Sequence, residues 1–557
     1  MFLLKRKVFL AVFIFGFLFL AANFALAETE GETKVFFVEK DYDSQQRDQV
    51  LVTLKKISQQ AYFYIDSVWY QNLTDQERGL VNQNLADLAE SFDKEIYPKL
   101  TGLWGSEWKP GIDNDFRITI FFQQLVGGVA GYFNDGDEYL KQQSPKSNER
   151  EMVYLSAEYL KASLIKSYLA HEFTHLITFN QKDRAKGIAE DIWLNEARAE
   201  YSSTYLGFDT NQKFANLQQR IKQFAQSPSD SLTIWSSTES DYGVISVFIH
   251  YLVEKYGSDI LVKSLQSEKV GIESLNQALQ AKAQDKDLFQ IFSDWSVAVL
   301  LNDCQVNESY CYKTQGLDGL RIAPTLVALP TTGQTNLSLT YSLSPWSSAW
   351  YRFIGSGGDL KISFNFDQLA DFSLPYILCE NQGGCNVFSF NASQNQKQEL
   401  IIEKFSQRYL SLTLAPSVKP KYSNVQAGAY NFSVSLQAQN VSSEEVLIEK
   451  LKAQIEILKA QIAQVQAQLL AMAQGTVSCS SFQANLYLGL KSNVVGCLQE
   501  FLKSQGSDIY PQGIISGYFG VLTRTAVIKF QQKYGISPTG YVGVLTRAKI
   551  NEVLQNK

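Results

Sequence analysis

Two of the three histidines in this 557-residue chain stand four positions apart, in the stretch His171-Glu172-Phe173-Thr174-His175. That spacing constrains the local fold. On an α-helix, positions four apart share a face, so both imidazoles can point at one spot. Glu172 follows the first His and falls on the adjoining edge of that face. Around them Leu164, Ile165, Tyr168, Leu169, Phe173, Leu176 and Ile177 recur at helical spacing, which predicts a helix from about Ala157 to Phe179.

H-E-x-x-H on a helix is a zinc signature, in which the metal acidifies water and the Glu is the general base. Five positions alone are a weak pattern, and a half-buried helix carrying two His is the bland alternative. A catalytic zinc also needs a third protein ligand and an open fourth position. Metzincins would place a His six residues after the second His, with a Gly midway. Gln181 and Thr178 stand there, which excludes that class. The other common solution is a Glu on a second helix. Trp193-Leu194-Asn195-Glu196-Ala197-Arg198-Ala199-Glu200-Tyr201 offers Glu196, twenty-one positions after His175.

Here the chain resembles the gluzincins, the thermolysin-like and aminopeptidase-like zinc peptidases, whose third ligand sits in an N-E-A or N-E-G motif. The resemblance implies Glu196 as third ligand. It also implies Glu200, one helical turn on, as the acid that orients a ligating His from behind. The gap is slightly long for either group, so Glu200 as the ligand itself stays open.

Lys5, Arg6 and Lys7 precede an apolar run from Val8 to Ala22 and an Ala25-Leu26-Ala27 site. Residues 1–27 therefore read as a secretory signal peptide, with an uncleaved membrane anchor as the alternative. The formal net charge of −6 gives no reason to expect a nucleic-acid partner. Six Cys fall into three close pairs, Cys304/Cys311, Cys379/Cys385 and Cys479/Cys497, which read as three disulfides in an exported protein.

Residues 28–302 read as the peptidase domain, an α+β arrangement of zincin type. Lys34–Val38, Ala61–Ile65, Arg117–Phe122 and Met152–Leu155 predict strands, and Thr74-Asp75-Gln76-Glu77 is a capping box opening a helix toward Tyr97. By the resemblance, residues 117–131 form the sheet edge that pairs with extended substrate. Asp135-Gly136-Asp137-Glu138 lacks calcium-loop spacing and reads as a solvated turn. The apolar stretch from Asp241 to Gly257 resembles the helix after the metal site in aminopeptidase-like gluzincins. That implies Tyr242 as a stabiliser of the oxyanion, against a plain core Tyr. His250, among bulky apolar residues, reads as a buried structural His. Within the gluzincins the closest resemblance is to hyicolysin-like bacterial metallopeptidases.

From 325 to 440, alternating strands such as Leu360–Phe366, Glu399–Glu403, Tyr409–Leu414 and Tyr430–Leu436 suggest a β-sandwich, with Cys379–Cys385 stapling one hairpin. Residues 444–474 carry Ile448, Leu451, Ile455, Leu458, Ile462, Val465, Leu469 and Met472 at alternating spacings of 3 and 4. This predicts a short coiled coil favouring a parallel homodimer, with a lone helical stalk as the alternative. In the tail, Gly517-Tyr518-Phe519-Gly520-Val521-Leu522-Thr523-Arg524 returns as Gly540-Tyr541-Val542-Gly543-Val544-Leu545-Thr546-Arg547. With Thr523 to Gln531 matching T-x-x-A-V-x-x-F-Q, residues 478–557 resemble the small three-helix peptidoglycan-binding domain.

The expectation is thus an exported zinc metallopeptidase, secreted or wall-associated, acting on protein or peptide substrates. His171, His175 and Glu196 would hold Zn2+, Glu172 would act as base and Tyr242 would assist. The tail would bind peptidoglycan. The rival readings are a hydrolase of the wall's own peptides and a non-catalytic wall-binding or adhesive protein with a degenerate protease domain.

Overall fold

Strands apolar on both faces form the middle of the first sheet. It comprises β1 (Thr33–Phe37), β2 (Gln49–Ile57), β3 (Ala61–Asp66), β4 (Ile118–Gln123), β5 (Gly131–Phe133) and β6 (Met152–Ser156). Their order is β1-β2-β3-β4-β6-β5. β3, β4 and β6 run parallel, and β5 closes the edge antiparallel to β6. Strands buried on both faces need apolar residues throughout. Accordingly Phe63, Ile65, Ile120 and Phe122 face the helices, while Tyr62, Tyr64 and Phe121 fill a second core on the opposite face. β4 is therefore a central strand. The expected edge at 117–131 is corrected to β5, which only Gly131 of that range enters.

The coordinates are a computed structural model that describes residues 28–439 and 481–555, apart from 162–163, 209–215, 283–284, 331–333, 357, 392–397, 422–428 and 483. It also describes Leu451, Ile455, Leu458, Lys459 and Ile462. The signal-peptide stretch 1–27 lies outside the described residues, as does Cys479. So does the coiled-coil stretch 444–474, except for those five helical positions. Among the described residues no helix is long and apolar enough to cross a membrane. The chain is a multidomain α/β protein with several sheets, and its contacts divide it into two units, Met1–Ser442 and Ser443–Lys557.

The capping box at Thr74 and Glu77 opens helix Asp75–Ser91. The helix carrying the His pair spans Ile165–Thr178, shorter than its apolar periodicity suggested, because a 3-10 turn (Ala157–Lys161) precedes it and a π turn (Phe179–Arg184) follows. Its Phe173 packs against Phe92 and Tyr97 at ring distances of 5.1 and 5.5 Å. Burying a side chain of that size contributes about 2–3 kcal/mol. Asp137 and Glu138 correct the solvated-turn reading. They sit on a short 3-10 turn and are 1% and 2% exposed, and both Glu138 carboxylate oxygens lack a hydrogen-bond partner.

Residues 325–439 form a seven-stranded and a four-stranded sheet around one apolar core. Cys379 and Cys385 are bonded and directly opposed in a hairpin, and Cys304 is bonded to Cys311. The outer face of the larger sheet is covered in part by the peptidase helices, while Leu326 at its edge is 45% exposed. Trp346, Trp350, Ile377 and Ala415 join the helical core, and Trp350 Nε1–H donates to the Ser296 carbonyl of helix Leu288–Leu301 at 2.8 Å.

The second unit holds helices Asn493–Ser504, Val521–Lys533 and Val544–Gln555 around a small core that includes Leu498, Phe501, Phe519, Phe530 and Val542. Its sequence repeat is a structural repeat. Buried Gln499 donates to Tyr518 O and Thr523 Oγ1, and buried Gln531 donates to Tyr541 O and Thr546 Oγ1. Cys497 is disulfide-bonded.

Candidate metal centre

Short hydroxyl side chains set the rotation of the two site helices. Ser167 Oγ–H donates to Ser203 Oγ at 2.8 Å, Thr174 Oγ1–H to Ser202 Oγ at 2.8 Å, and Thr178 Oγ1–H to Asn195 Oδ1 at 2.7 Å. These three bonds lace Ile165–Thr178 to the helix Ile192–Tyr205 along one seam. Trp104 Nε1–H reaches the same Ser202 hydroxyl. With that register fixed, Glu196 faces the two imidazoles.

The Nε2 atoms of His171 and His175 lie 3.1 Å apart. Glu196 Oε2 is 3.3 Å from His171 Nε2, and its Oε1 is 3.6 Å from His175 Nε2. One ligand atom from each of the three residues lies within 4.8 Å of the other two. Glu196 Oε2 is buried without a hydrogen-bond donor in bonding geometry. Two imidazole nitrogens facing each other beside a buried, undonated carboxylate oxygen is a set that a divalent cation satisfies and protein groups alone do not. The residues present therefore fit zinc. Cys304, Glu308 and Cys311 also cluster, but their two sulfurs are bonded to each other.

The electrostatics carry the same strain. Burial works against a charge on His171, yet the carboxylates of Glu196, Glu172 and Glu200 outweigh it and push the imidazole up to about 9. Burial drives His175 down to about 4. Burial, reinforced by Glu196 and Glu200, pushes Glu172 up to about 8. A cation beside these carboxylates acts in the opposite direction and favours their charged forms.

Glu172 also has a covering strand. A Cβ on Gly131 would lie 2.8 Å from Glu172 Cγ and Oε1 and 2.7 Å from the Tyr154 carbonyl, so β5 can cross at this height only with glycine.

Glu200 stands behind His171, its Oε1 3.5 Å from Nδ1. Both its oxygens are otherwise engaged. Arg220 donates Nη2–H to Oε1 at 2.7 Å and Nε–H to Oε2 at 2.9 Å, and Asn216 donates to Oε2 at 2.7 Å. That geometry suits an orienting acid rather than a ligand. Arg220 and Asn216, on helix Asn216–Gln226, escaped the sequence reading because no motif announces them. Lying sixteen and twenty residues after Glu200 on another helix, they stand at no spacing that ties them to it. Arg220 also lies over the Tyr242 ring, 4.3 Å from its centroid. Burial, with Glu196 and Glu200 nearby, raises the Tyr242 phenol well above its ordinary range, so this hydroxyl keeps its proton. His250 is buried, its Nδ1 2.6 Å from Ser246 O and its Nε2 2.8 Å from Thr204 Oγ1.

Comparison with known proteins adds three findings. Residues 491–550 match the family described as "Putative peptidoglycan binding domain". Over 248 residues the chain is 27% identical to the neutral metalloprotease ShpI of Staphylococcus hyicus, a stretch covering 40% of this chain and 54% of that protein. The chain thus spans about half the length of this curated relative. The solved structure of the Yersinia pseudotuberculosis-derived mitogen matches at 14% identity over 20% of this chain and 90% of its own, with a TM-score of 0.15, too low to carry any argument.

Proposed function

We propose that the chain is an exported zinc metallopeptidase of the gluzincin class, held at the cell wall by its C-terminal unit. The observation that carries this reading is the meeting of His171, His175 and Glu196 ligand atoms within 4.8 Å, with Glu172 beside them under the edge strand. The similarity to a neutral metalloprotease supports it. The match at 491–550 supports the wall attachment.

A zinc ion held by those three residues would supply Lewis acidity toward water and toward the peptide carbonyl. Glu172 takes the proton of the attacking water at its carboxylate and returns it to the departing amine nitrogen. The unpaired side of β5 hydrogen-bonds an extended substrate backbone and brings the scissile carbonyl over Glu172. Tyr242, protonated and held against Arg220, donates to the carbonyl oxygen as negative charge grows there. Glu200 accepts from His171 Nδ1 and so keeps its Nε2 aimed inward.

A second reading keeps this chemistry and makes peptidoglycan peptides the target. The match at 491–550 favours it. Glu172→Gln tests both. It retains about one zinc per chain while hydrolysis falls by roughly 10²–10⁴. Zinc content is read by elemental analysis, and casein and purified peptidoglycan are digested in parallel to decide the substrate. A native protein that takes up no zinc overturns the proposal.

A further inference from the structure

The Tyr242 ring is gripped from two sides, and the grips lead to different parts of the chain. One is Arg220, which leads back through Glu200 to His171. The other is Trp235, whose indole meets the phenol ring edge-on, with centroids 4.9 Å apart at 75°. A donor serves a developing charge only if it is oriented beforehand. What holds Trp235 therefore bears on the reaction.

Trp235 sits between helices Asn216–Gln226 and Glu239–Tyr256. Upstream of it, the Ser231 hydroxyl accepts the backbone N–H groups of Thr233 and Ile234 at 3.2 and 3.0 Å and donates to the Pro345 carbonyl at 2.5 Å. Leu232 N–H donates to the Trp346 carbonyl at 2.8 Å. Ser231 and Leu232 are both almost wholly buried. Downstream, Asp241 Oδ2 accepts N–H from Ser236 at 3.1 Å and Thr238 at 2.7 Å. The segment is closed by its own turns and hydrogen-bonded from outside, among the described residues, to the Pro345–Trp346 turn. That turn is anchored in turn. The Trp346 ring packs on Phe289 and Phe292 with centroids 5.7 Å away in each case, and the backbone N–H of Trp346 donates to Val418 O at 2.9 Å.

We propose that Trp235 is a positioning residue for Tyr242, and that the two-sheet region 325–439 sets it through the Pro345–Trp346 turn. This gives a role to a region in which no catalytic motif occurs but whose larger sheet shares its core with the peptidase helices. It rests on the peptidase reading above.

The test uses the full zinc-loaded chain and a peptide substrate. Trp235→Ala is expected to lower kcat by about tenfold, the upper range for one aromatic contact, with KM and zinc content unchanged. Trp235→Phe recovers most of the loss. In a Tyr242→Phe background, Trp235→Ala has almost no further effect, which a merely structural residue would not show. An equal loss in both backgrounds overturns the proposal. So does a rise in KM at constant kcat, which would make the indole a substrate wall. Ser231→Ala, by loosening the clip, is expected to speed hydrogen exchange at the Thr233 and Ile234 amides and to lower kcat in the same direction. Unchanged exchange overturns the clip. If the native chain binds zinc but cleaves no peptide, the peptidase reading fails instead, and the exchange measurement still decides whether the turn holds the segment.

Discussion

The candidate metal-site region and the C-terminal unit both bury polar side chains, but they settle them differently. In the C-terminal unit one neutral solution is used twice. Gln499 and Gln531 each donate to a backbone carbonyl and a Thr hydroxyl, and each also accepts backbone N–H, from Ser516 and Gly517 in the first case and Gly540 in the second. Their needs are met internally, so any ligand belongs outside, where Tyr487, Tyr518 and Tyr541 are about half exposed. The candidate metal-site region buries charges instead and leaves a deficit. Glu190 is shared by buried Lys182 and Arg198, and Glu200 is held by Arg220. Glu196 Oε2 has no donor. An internal deficit points to a ligand inside. The contrast teaches where function sits in each unit, and five substitutions would break or sharpen it.

The largest effect is expected at Glu190. Its Oε2 lies 2.8 Å from both Lys182 Nζ and Arg198 Nη1, whose side chains are fully buried. Glu190→Gln would strand two cations and cost about 3–5 kcal/mol. Urea unfolding of unit Met1–Ser442 within the full chain would read it. A loss below about 1 kcal/mol would mean that the buried charges there are no more demanding than the glutamines of the tail.

Glu138→Gln comes next and is read by pH. Burial, then Glu151 nearby, push the Glu138 carboxyl from 4.5 up to about 9. The folded state therefore holds this proton where the unfolded state releases it. The stabilisation is fully present below pH 4.5 and is lost as pH rises toward 9, by on the order of 1 kcal/mol per pH unit. The Gln variant should flatten that part of the stability profile between pH 5 and 8. An unaltered slope would assign the titration elsewhere.

Sequence pattern made much of this legible, and its limits are physical. That His171 and His175 share one helix face was readable because helical spacing converts position into direction, and the tail because its Gly-Tyr loops recur; Glu196, on a second helix, came only from the resemblance of its Asn-Glu-Ala motif. The Cys379–Cys385 hairpin followed from local pairing. Arg220, Asn216 and Ser231 were not readable, since each acts across a tertiary contact that leaves no periodic trace. The burial of Asp137 and Glu138 was hidden for a related reason. Acids beside a Gly look solvated until the sheet that covers them is known. The edge strand was misplaced because β4 is apolar on both faces, a pattern that belongs to a strand flanked on both sides, whereas the three-residue β5 is too short to show any pattern.

Gly131→Ala follows, at about 10² in kcat, or roughly 2.7 kcal/mol of barrier. The added methyl would push Glu172 aside while leaving His171, His175 and Glu196 untouched. Zinc content should hold as hydrolysis falls. Loss of zinc with activity would show that β5 supports the whole centre and not the base alone.

The smallest effect belongs to the tail. Gln531→Ala removes a side chain that donates to Tyr541 O and Thr546 Oγ1 and accepts from Gly540 N–H. The groups left behind are backbone and hydroxyl groups at the foot of a surface loop, which water can reach once the side chain is gone. The cost should be about 1–2 kcal/mol. Gln499→Ala should cost the same, because it spans the equivalent loop of the other repeat. Neither should alter zinc content or casein hydrolysis, while retention on purified peptidoglycan should weaken as the Tyr518 or Tyr541 loop loosens. If one variant abolishes retention and the other leaves it intact, the two loops are equivalent in architecture only, and wall attachment rests on a single one of them.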